Sequence, residues 1–123
     1  MPVIEIRSYR LVPGSRDRFH GLISQQSLPL MLEWGMDVVG FGPSLHGADS
    51  YFLIRAFKDL MQLEHDQAAF YASPAWREGP REAIVSLIAS DSNVVMAMSQ
   101  ERIEALRDPS IASHDSRPSA RRP

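Results

Sequence analysis

The sequence predicts a single α+β domain whose strands and helices follow the order βαββαβ. Three observations support this prediction. A chain of 123 residues is long enough for one hydrophobic core and too short for two ordinary domains. Segments in which side chains alternate with a period of two are interspersed with segments whose apolar residues recur every three to four positions. Hydrophobic residues make up 44% and charged residues 23% of the chain, the balance of a folded protein.

The first half of the chain predicts a strand, a long helix and the start of a hairpin. Isoleucines alternate with polar side chains over residues 3–11, and Pro13-Gly14 ends this strand. Ser15 is a suitable N-cap for the helix that follows. Pro29 has no backbone N–H, so we expect it to kink the helix or divide it in two. The apolar stripe of this helix contains Phe19, Leu22, Ile23, Leu30 and Trp34.

A hairpin and a second helical region follow. β-Prone residues 36–41 and 51–57 flank a polar turn. Asp59 can cap the next helix, with Gln62 completing an analogue of the capping box. The buried stripe of that helix contains Leu60, Leu63, Phe70 and Tyr71.

The remaining segments complete the βαββαβ order. Ser73-Pro74 and Gly79-Pro80 each predict a new helix start, because proline is favoured in a first helical turn. Residues 90–93 predict a turn, and residues 94–98 the last strand. Two split βαβ units of this kind form a ferredoxin-like fold, in which helices cover one face of a four-stranded antiparallel sheet.

The composition changes after residue 99 and divides the chain into two parts. We predict a ferredoxin-like domain over residues 1–99 and a disordered tail, rich in Ser, Pro and Arg, over residues 100–123. Residues 100–107 are compatible with one or two helical turns. The basic end of the tail is either solvated or in contact with an anionic partner.

Charge and composition exclude several function classes. The formal net charge is -2, with 13 basic and 15 acidic residues, so we expect no nucleic-acid partner. The absence of cysteine excludes disulfides, thiolate nucleophiles and cysteine-bound metals. We expect no metal and no cofactor, because no two of the four histidines show metal-ligand spacing and no dinucleotide fingerprint is present. Neither a leader nor a long apolar run is present, which predicts a cytoplasmic location without membrane association.

Alternation along the strands predicts a homodimer. We assign five residues to the face under the helices: Ile4, Ile6, Phe52, Ile54 and Ala56. The opposite face then carries Tyr9, Tyr51, Leu53 and Phe57 together with Glu5, Arg7 and Arg55. Four large apolar or aromatic side chains form a patch that a second copy of the sheet is expected to cover. The alternative is a monomer with an amphipathic outer face.

Several segments resemble the NIPSNAP family. They are Glu5–Leu11 with Pro13-Gly14, Gly40-Phe41 with the hairpin, Ile54–Phe57, Phe70–Ser73 and Trp76–Glu82. The resemblance covers about residues 2–98 and contains no catalytic signature. It implies a dimeric α/β barrel built from ferredoxin-like subunits. The wider superfamily includes cofactor-free monooxygenases, haem-handling enzymes and small-ring isomerases, and these activities extend to this chain only as fold-level analogy.

Candidate ligand-binding residues cluster on two neighbouring strands. Arg7 and Arg55 are expected on one face, with Glu5 and Tyr9 close by. Two guanidinium groups on adjacent strands either hold an anionic ligand or form an Arg–Glu network that sets the dimer register. Tyr9 can donate a hydrogen bond or act as a general acid beside them.

Two further residues are weaker candidates. Trp76 can close a site against an apolar ligand, although core packing is the commoner role of such a residue. His65, in the middle of a helix, is either a base or haem ligand at the mouth of the site or an exposed helical histidine.

Two functions remain open at this point. One is a dimeric binding module for a small, partly apolar anionic molecule. The other is a cofactor-free enzyme of the monooxygenase or isomerase type that acts on such a molecule. The sequence offers no identifiable general base, and this is the weakness of the enzyme hypothesis.

Overall fold

A computed structural model describes residues 1–111 of the chain. The strands are β1 (Val3–Leu11), β2 (Asp37–Pro43), β3 (Ser50–Phe57) and β4 (Ile88–Ala97). The helices are α1 (Arg16–Leu22), α2 (Leu28–Trp34), α3 (Leu60–Ala72), α4 (Pro74–Arg77), α5 (Arg81–Val85) and α6 (Gln100–Leu106). Within residues 1–111, no helix is long and apolar enough to cross a membrane.

The four strands form one antiparallel sheet in the order β2-β3-β1-β4. β1 lies between β3 and β4, and its Ile6 pairs with Ile54 on one side and Val94 on the other. With helices α1–α5 packed on one face of this sheet, the predicted α+β, ferredoxin-like fold is confirmed.

Pro29 divides the first helical region, as predicted. A π-helical turn over Ile23–Ser27 joins α1 to α2, and Pro29 lies in the first turn of α2, where a missing N–H is tolerated. Gly35 ends α2 with a φ of 97°, which is a left-handed conformation that favours glycine. Ser15 occupies the N-cap position of α1, but its hydroxyl donates to the Val12 carbonyl instead of capping the helix.

Local caps explain the division of the second helical region. The Asp59 carboxylate accepts a hydrogen bond of 2.8 Å from the Gln62 amide, and the Gln62 side chain accepts one of 2.6 Å from the Lys58 amide. Ser73 ends α3 and accepts from the Trp76 amide to begin α4. Gly79 follows, where a Cβ would clash with the Ala75 carbonyl oxygen. Only glycine therefore allows the chain to turn this closely into α5.

The last strand is longer than its sequence pattern predicts. We predicted a turn over residues 90–93 and a strand over 94–98, but pairing with β1 extends β4 from Ile88 to Ala97. Residues 89–97 are all exposed, because the helices do not extend over this edge of the sheet. An edge strand with two solvated faces accommodates polar side chains, so hydrophobic alternation did not reveal its first half.

The assignment of the two sheet faces is wrong in the sequence-based prediction. Tyr9, Tyr51 and Leu53 lie in the main core beneath the helices. Glu5 and Arg55 are buried on the same side. The opposite, outer face carries the residues that we had placed inside: Ile4, Ile6, Phe52, Ile54 and Ala56. Alternation defines two sets of side chains but does not say which set is covered. The charged residues suggested a solvent-facing side, although in the fold they are buried as hydrogen-bonded ion pairs.

Part of the predicted disordered tail is folded. Residues 100–106 form α6, whose Ile103 is buried on the outer face with Ile4, Val39 and Ala56. Ile111 is buried in the main core. The ordered structure therefore extends beyond the predicted boundary at residue 99. Residues 112–123, the rest of the predicted tail, lie outside the described residues.

Candidate functional site

A buried ion cluster lies between the sheet and the helices. Glu5 of β1 is the direct cross-strand partner of Arg55 of β3. Arg55 donates to Oε1 of Glu5 from Nε at 3.1 Å and from Nη2 at 2.8 Å. Oε2 of Glu5 accepts from Nη2 of Arg7 and from the Asn93 amide, each at 2.8 Å. The side chains of Glu5 and Arg55 are 0% exposed, whereas that of Arg7 is 20% exposed.

The charges in this cluster do not cancel. Two guanidinium groups share one carboxylate, so Glu5, Arg7 and Arg55 together carry one net positive charge. Burial acts to raise the pKa of Glu5, but the neighbouring Arg55 and Arg7 outweigh it and lower that pKa to about 2. Glu5 therefore remains ionised at neutral pH. The net positive charge of the cluster is accessible from outside through Arg7, the most exposed of its three charged side chains.

Two tyrosines add hydrogen-bond donors beside the arginines. The Tyr71 hydroxyl of α3 accepts a hydrogen bond of 3.0 Å from Nη1 of Arg55, which leaves its own O–H free to donate. Burial, followed by the neighbouring Tyr71, raises the pKa of Tyr9 well above its ordinary value. Tyr9 therefore remains protonated at neutral pH and acts as a donor, not as a base.

A cleft of about 600 Å³ opens onto these groups. Nη2 of Arg7 is occupied by Glu5 and, at 3.4 Å, by Gln67, while its Nη1 makes no hydrogen bond to any of residues 1–111. Nε of Arg7 is buried and also has no hydrogen-bond partner among these residues, so the guanidinium keeps donors that the protein itself does not use. The lining residues come from β1, α3, α4, α5 and β4, and they are Arg7, Tyr9, Tyr71, Trp76, Arg81, Ile84, Val85, Ile88, Ala89, Ser90 and Asp91.

The rest of the cleft is mainly apolar. The Trp76 ring packs edge-on against Tyr71, with their centroids 5.2 Å apart. Ile84 and Ile88 extend this apolar surface. Arg81 also lines the cleft, and its side chain is 47% exposed. The cleft therefore combines a cationic, donor-rich part with an aromatic and aliphatic wall, which suits a small, partly apolar anion.

The structure brings together three of the six predicted site residues at the surface of the cleft: Arg7, Tyr9 and Trp76. Glu5 and Arg55 belong to the same cluster but lie buried behind it, where they support the cleft without lining it. His65 is not part of this group. Its side chain is 80% exposed, lies 3.5 Å from Asp66 and lines a separate cleft at the start of α3.

Sequence reasoning missed Tyr71 and Asn93 as members of the site. Tyr71 was assigned to the buried stripe of its helix, and no sequence signal indicates that its hydroxyl reaches Arg55. Asn93 lay in the predicted turn. A correct β1–β4 register pairs it with Arg7 and would have placed it beside the cluster.

Residues 1–111 contain no group of three or more His, Asp or Glu residues that could hold a metal ion. The residues that line the cleft include several hydrogen-bond donors, above all the Arg and Tyr side chains. Any molecule held by them is therefore bound through its own acceptor atoms.

The fold and the cleft define a class: a ferredoxin-like α+β protein with a cationic cleft between the sheet and the helices. The chain belongs to the NIPSNAP family, whose model matches residues 4–100. No curated protein sequence matches the chain.

Solved structures agree with this assignment. A NIPSNAP family protein with unknown function from Agrobacterium tumefaciens is 24% identical, with a TM-score of 0.72 over 80% of this chain and 88% of that one. An uncharacterized NIPSNAP domain protein from Burkholderia xenovorans is 18% identical, with a TM-score of 0.71 over 80% and 95%. A putative antibiotic biosynthesis monooxygenase from Nitrosomonas europaea is 14% identical, with a TM-score of 0.63 over 80% and 91%. At these identities the similarity supports the shared fold only.

Proposed function

We propose that this protein binds a small, partly apolar carboxylate in the cleft between β1, β4 and helices α3–α5. The observation that supports this proposal is the net positive charge of Glu5, Arg7 and Arg55, which reaches the cleft through Arg7. Asp91 also lines the cleft but forms no salt bridge with Arg7. A buried surplus charge is costly unless an opposite charge lies nearby. An anion seated against Arg7 supplies that charge.

The cleft also sets the shape of the ligand. A carboxylate at Nη1 of Arg7 lies close to the donors of Tyr9 and Tyr71, and the remainder of the ligand packs on Trp76 and Ile84. Small-molecule sites usually enclose about 300–1,000 Å³, and the 600 Å³ cleft falls within that range. We therefore expect an aromatic or branched aliphatic monocarboxylate, with benzoate as a suitable probe.

Calorimetry and thermal-shift titration with benzoate and benzamide test this function. The two probes share a ring and differ in charge, so we expect benzoate to bind and benzamide to bind at least tenfold more weakly. At 100 times its dissociation constant, a ligand adds about 2.7 kcal/mol to the free energy of unfolding, which a melting curve detects.

A matched pair of variants locates the site. Arg7→Leu should abolish benzoate binding, whereas Arg10→Leu, on the same strand but exposed on the outer face, should bind as the wild type does. Equal affinity of wild type and Arg7→Leu for benzoate would contradict the assignment. Failure of benzoate and of a panel of aliphatic carboxylates to bind at millimolar concentration would overturn the proposed function.

We also propose that the protein forms a homodimer through the outer face of the sheet. This proposal is supported by apolar side chains on that face that α6 leaves half-buried or exposed: Ile6, Phe52, Ile54, Val94 and Met96. Val94 is 52% exposed in the single chain. Light scattering should give twice the chain mass of 13.8 kDa for the wild type. Val94→Asp should reduce the measured mass to that of a single chain, whereas Ser92→Asp on the same face should have a smaller effect. A single-chain mass for the wild type at micromolar concentration would refute the dimer.

A cofactor-free enzyme of the monooxygenase or isomerase type is the second candidate. One feature favours it: Asp91, the β4 partner of Tyr9, places a carboxylate on the cleft lining, where it can act as a general base. Oxygen uptake or isomer formation with a bound carboxylate, lost in Asp91→Asn, would support this candidate.

The cytoplasmic location remains a prediction.

A further inference from the structure

The chain continues past its last strand into a segment that wraps around the sheet. Residues 99–111, called the C-terminal strap below, begin where the Ser99 hydroxyl accepts a hydrogen bond from the Arg102 amide and starts α6. Ile103 of this helix is 0% exposed and packs on the outer face against Ile4, Val39 and Ala56. The strap therefore covers one end of the outer face and leaves the other end open.

The strap then crosses the free edge of β2. The Asp108 amide donates a hydrogen bond of 2.8 Å to the Val39 carbonyl of that strand. Beyond this crossing, Ile111 is buried in the main core, with the residues on the helical side of the sheet. The segment thus passes from one face of the sheet to the other around the β2 edge.

An ionic latch holds the crossing in place. Arg107 donates to both carboxylate oxygens of Asp37 in β2, at 2.6 and 3.1 Å. The same guanidinium donates to Glu104 at 2.8 and 2.9 Å. Two carboxylates from different elements therefore fix one arginine at the place where the strap meets the edge.

The two edges of the sheet consequently differ. β2 has a backbone partner and a covering segment on its outer side, whereas β4 has β1 as its only strand partner within residues 1–111, and its residues 89–97 are exposed. Uncovered strand edges readily pair with another chain. The family match ends at residue 100, so nearly all of the strap lies beyond the segment shared with the family.

We infer that the C-terminal strap is a built-in cover that prevents a second copy of this chain from pairing with the β2 edge. The partner that the strap excludes is another copy of this chain. Displacement of the strap would expose Ile4, Val39 and Ala56 and so enlarge the apolar surface of the outer face. It would also free the backbone hydrogen-bonding groups at the β2 edge. With the strap in place, self-association is confined to the β4 side and the open part of the outer face.

Two full-length variants test this inference, with a third as a control. Ile103→Asp removes the apolar anchor of the strap, and Arg107→Ala removes its latch. Arg102→Ala changes an exposed residue of the same helix. The readouts are mass as a function of concentration, measured by light scattering after size exclusion, and amide hydrogen exchange of β2.

We expect Ile103→Asp and Arg107→Ala to increase the exchange rate of β2 amides at least tenfold and to form assemblies larger than those of the wild type. Arg102→Ala should match the wild type in both measurements. Because Arg107 is near the surface, Arg107→Ala decides the test if Ile103→Asp fails to fold. Faster exchange with unchanged mass would overturn the inference, and so would unchanged exchange.

Discussion

Replacing Glu5 by glutamine tests the energetic role of the buried cluster. The substitution keeps the size of the side chain but leaves Arg7 and Arg55 without their shared carboxylate. Removing one member of a buried ion pair typically costs about 3–5 kcal/mol. The lowering of the Glu5 pKa from 4.5 to about 2 corresponds to roughly 3 kcal/mol of differential interaction, in agreement with that range.

Chemical denaturation followed by tryptophan fluorescence measures this loss, because Trp76 is buried in the fold. We expect Glu5→Gln to lower the free energy of unfolding by roughly 3 kcal/mol or more, a large part of the 5–15 kcal/mol typical of such domains. Glu82→Gln is the control, since its side chain is 93% exposed and its pairing with Arg81 at 3.6 Å contributes less than about 1 kcal/mol. A loss below 1 kcal/mol for Glu5→Gln would refute the view that this carboxylate stabilises the folded state through its ion pairs with Arg7 and Arg55.

Three further predictions follow from the same structure. The pKa of Glu5 is lower in the folded state than in the unfolded chain, so the stabilisation by its carboxylate is complete above pH 4.5 and is lost as the pH falls toward 2. In acid denaturation, the wild type should therefore lose stability in this window more steeply than Glu5→Gln. Gly79→Ala should lower the free energy of unfolding by about 1–3 kcal/mol, because the added Cβ would clash with a backbone carbonyl. Gly21→Ala, at an open helical position, should leave stability unchanged or increase it. Equal melting temperatures of the two variants would contradict this prediction. Asp59→Ala should cost about 1 kcal/mol through loss of the α3 cap, and an unchanged denaturation midpoint would show that the cap contributes nothing.

Local sequence signals were sufficient to predict the order of the elements. Residues 3–11 were predicted as a strand with the bounds that β1 has, and the capping pair Asp59 and Gln62 marked the start of α3. Pro29 indicated the division of the first helical region. These features depend on neighbours in the chain, so sequence alone contains the relevant information.

The positions of the site residues depend on contacts that are distant in sequence. Glu5 and Arg55 are separated by fifty positions and neutralise each other only because β1 and β3 pair in one register. Without that pairing, charged side chains indicate a solvated face, and the face assignment was inverted for this reason. Strand alternation alone nevertheless placed Arg7, Arg55, Glu5 and Tyr9 on one face of the sheet, as the register of β1 and β3 has them, while their role in ligand binding stays a prediction.

A crystal structure of the protein soaked with 4-bromobenzoate tests the central claim most directly, because the anomalous signal of bromine locates the ligand without ambiguity. The surplus charge of the cluster predicts a carboxylate within hydrogen-bond distance of Nη1 of Arg7, with the bromine against Trp76. The claim that the cleft beside Arg7 binds carboxylates would be contradicted if bromobenzoate bound elsewhere while this cleft held only water.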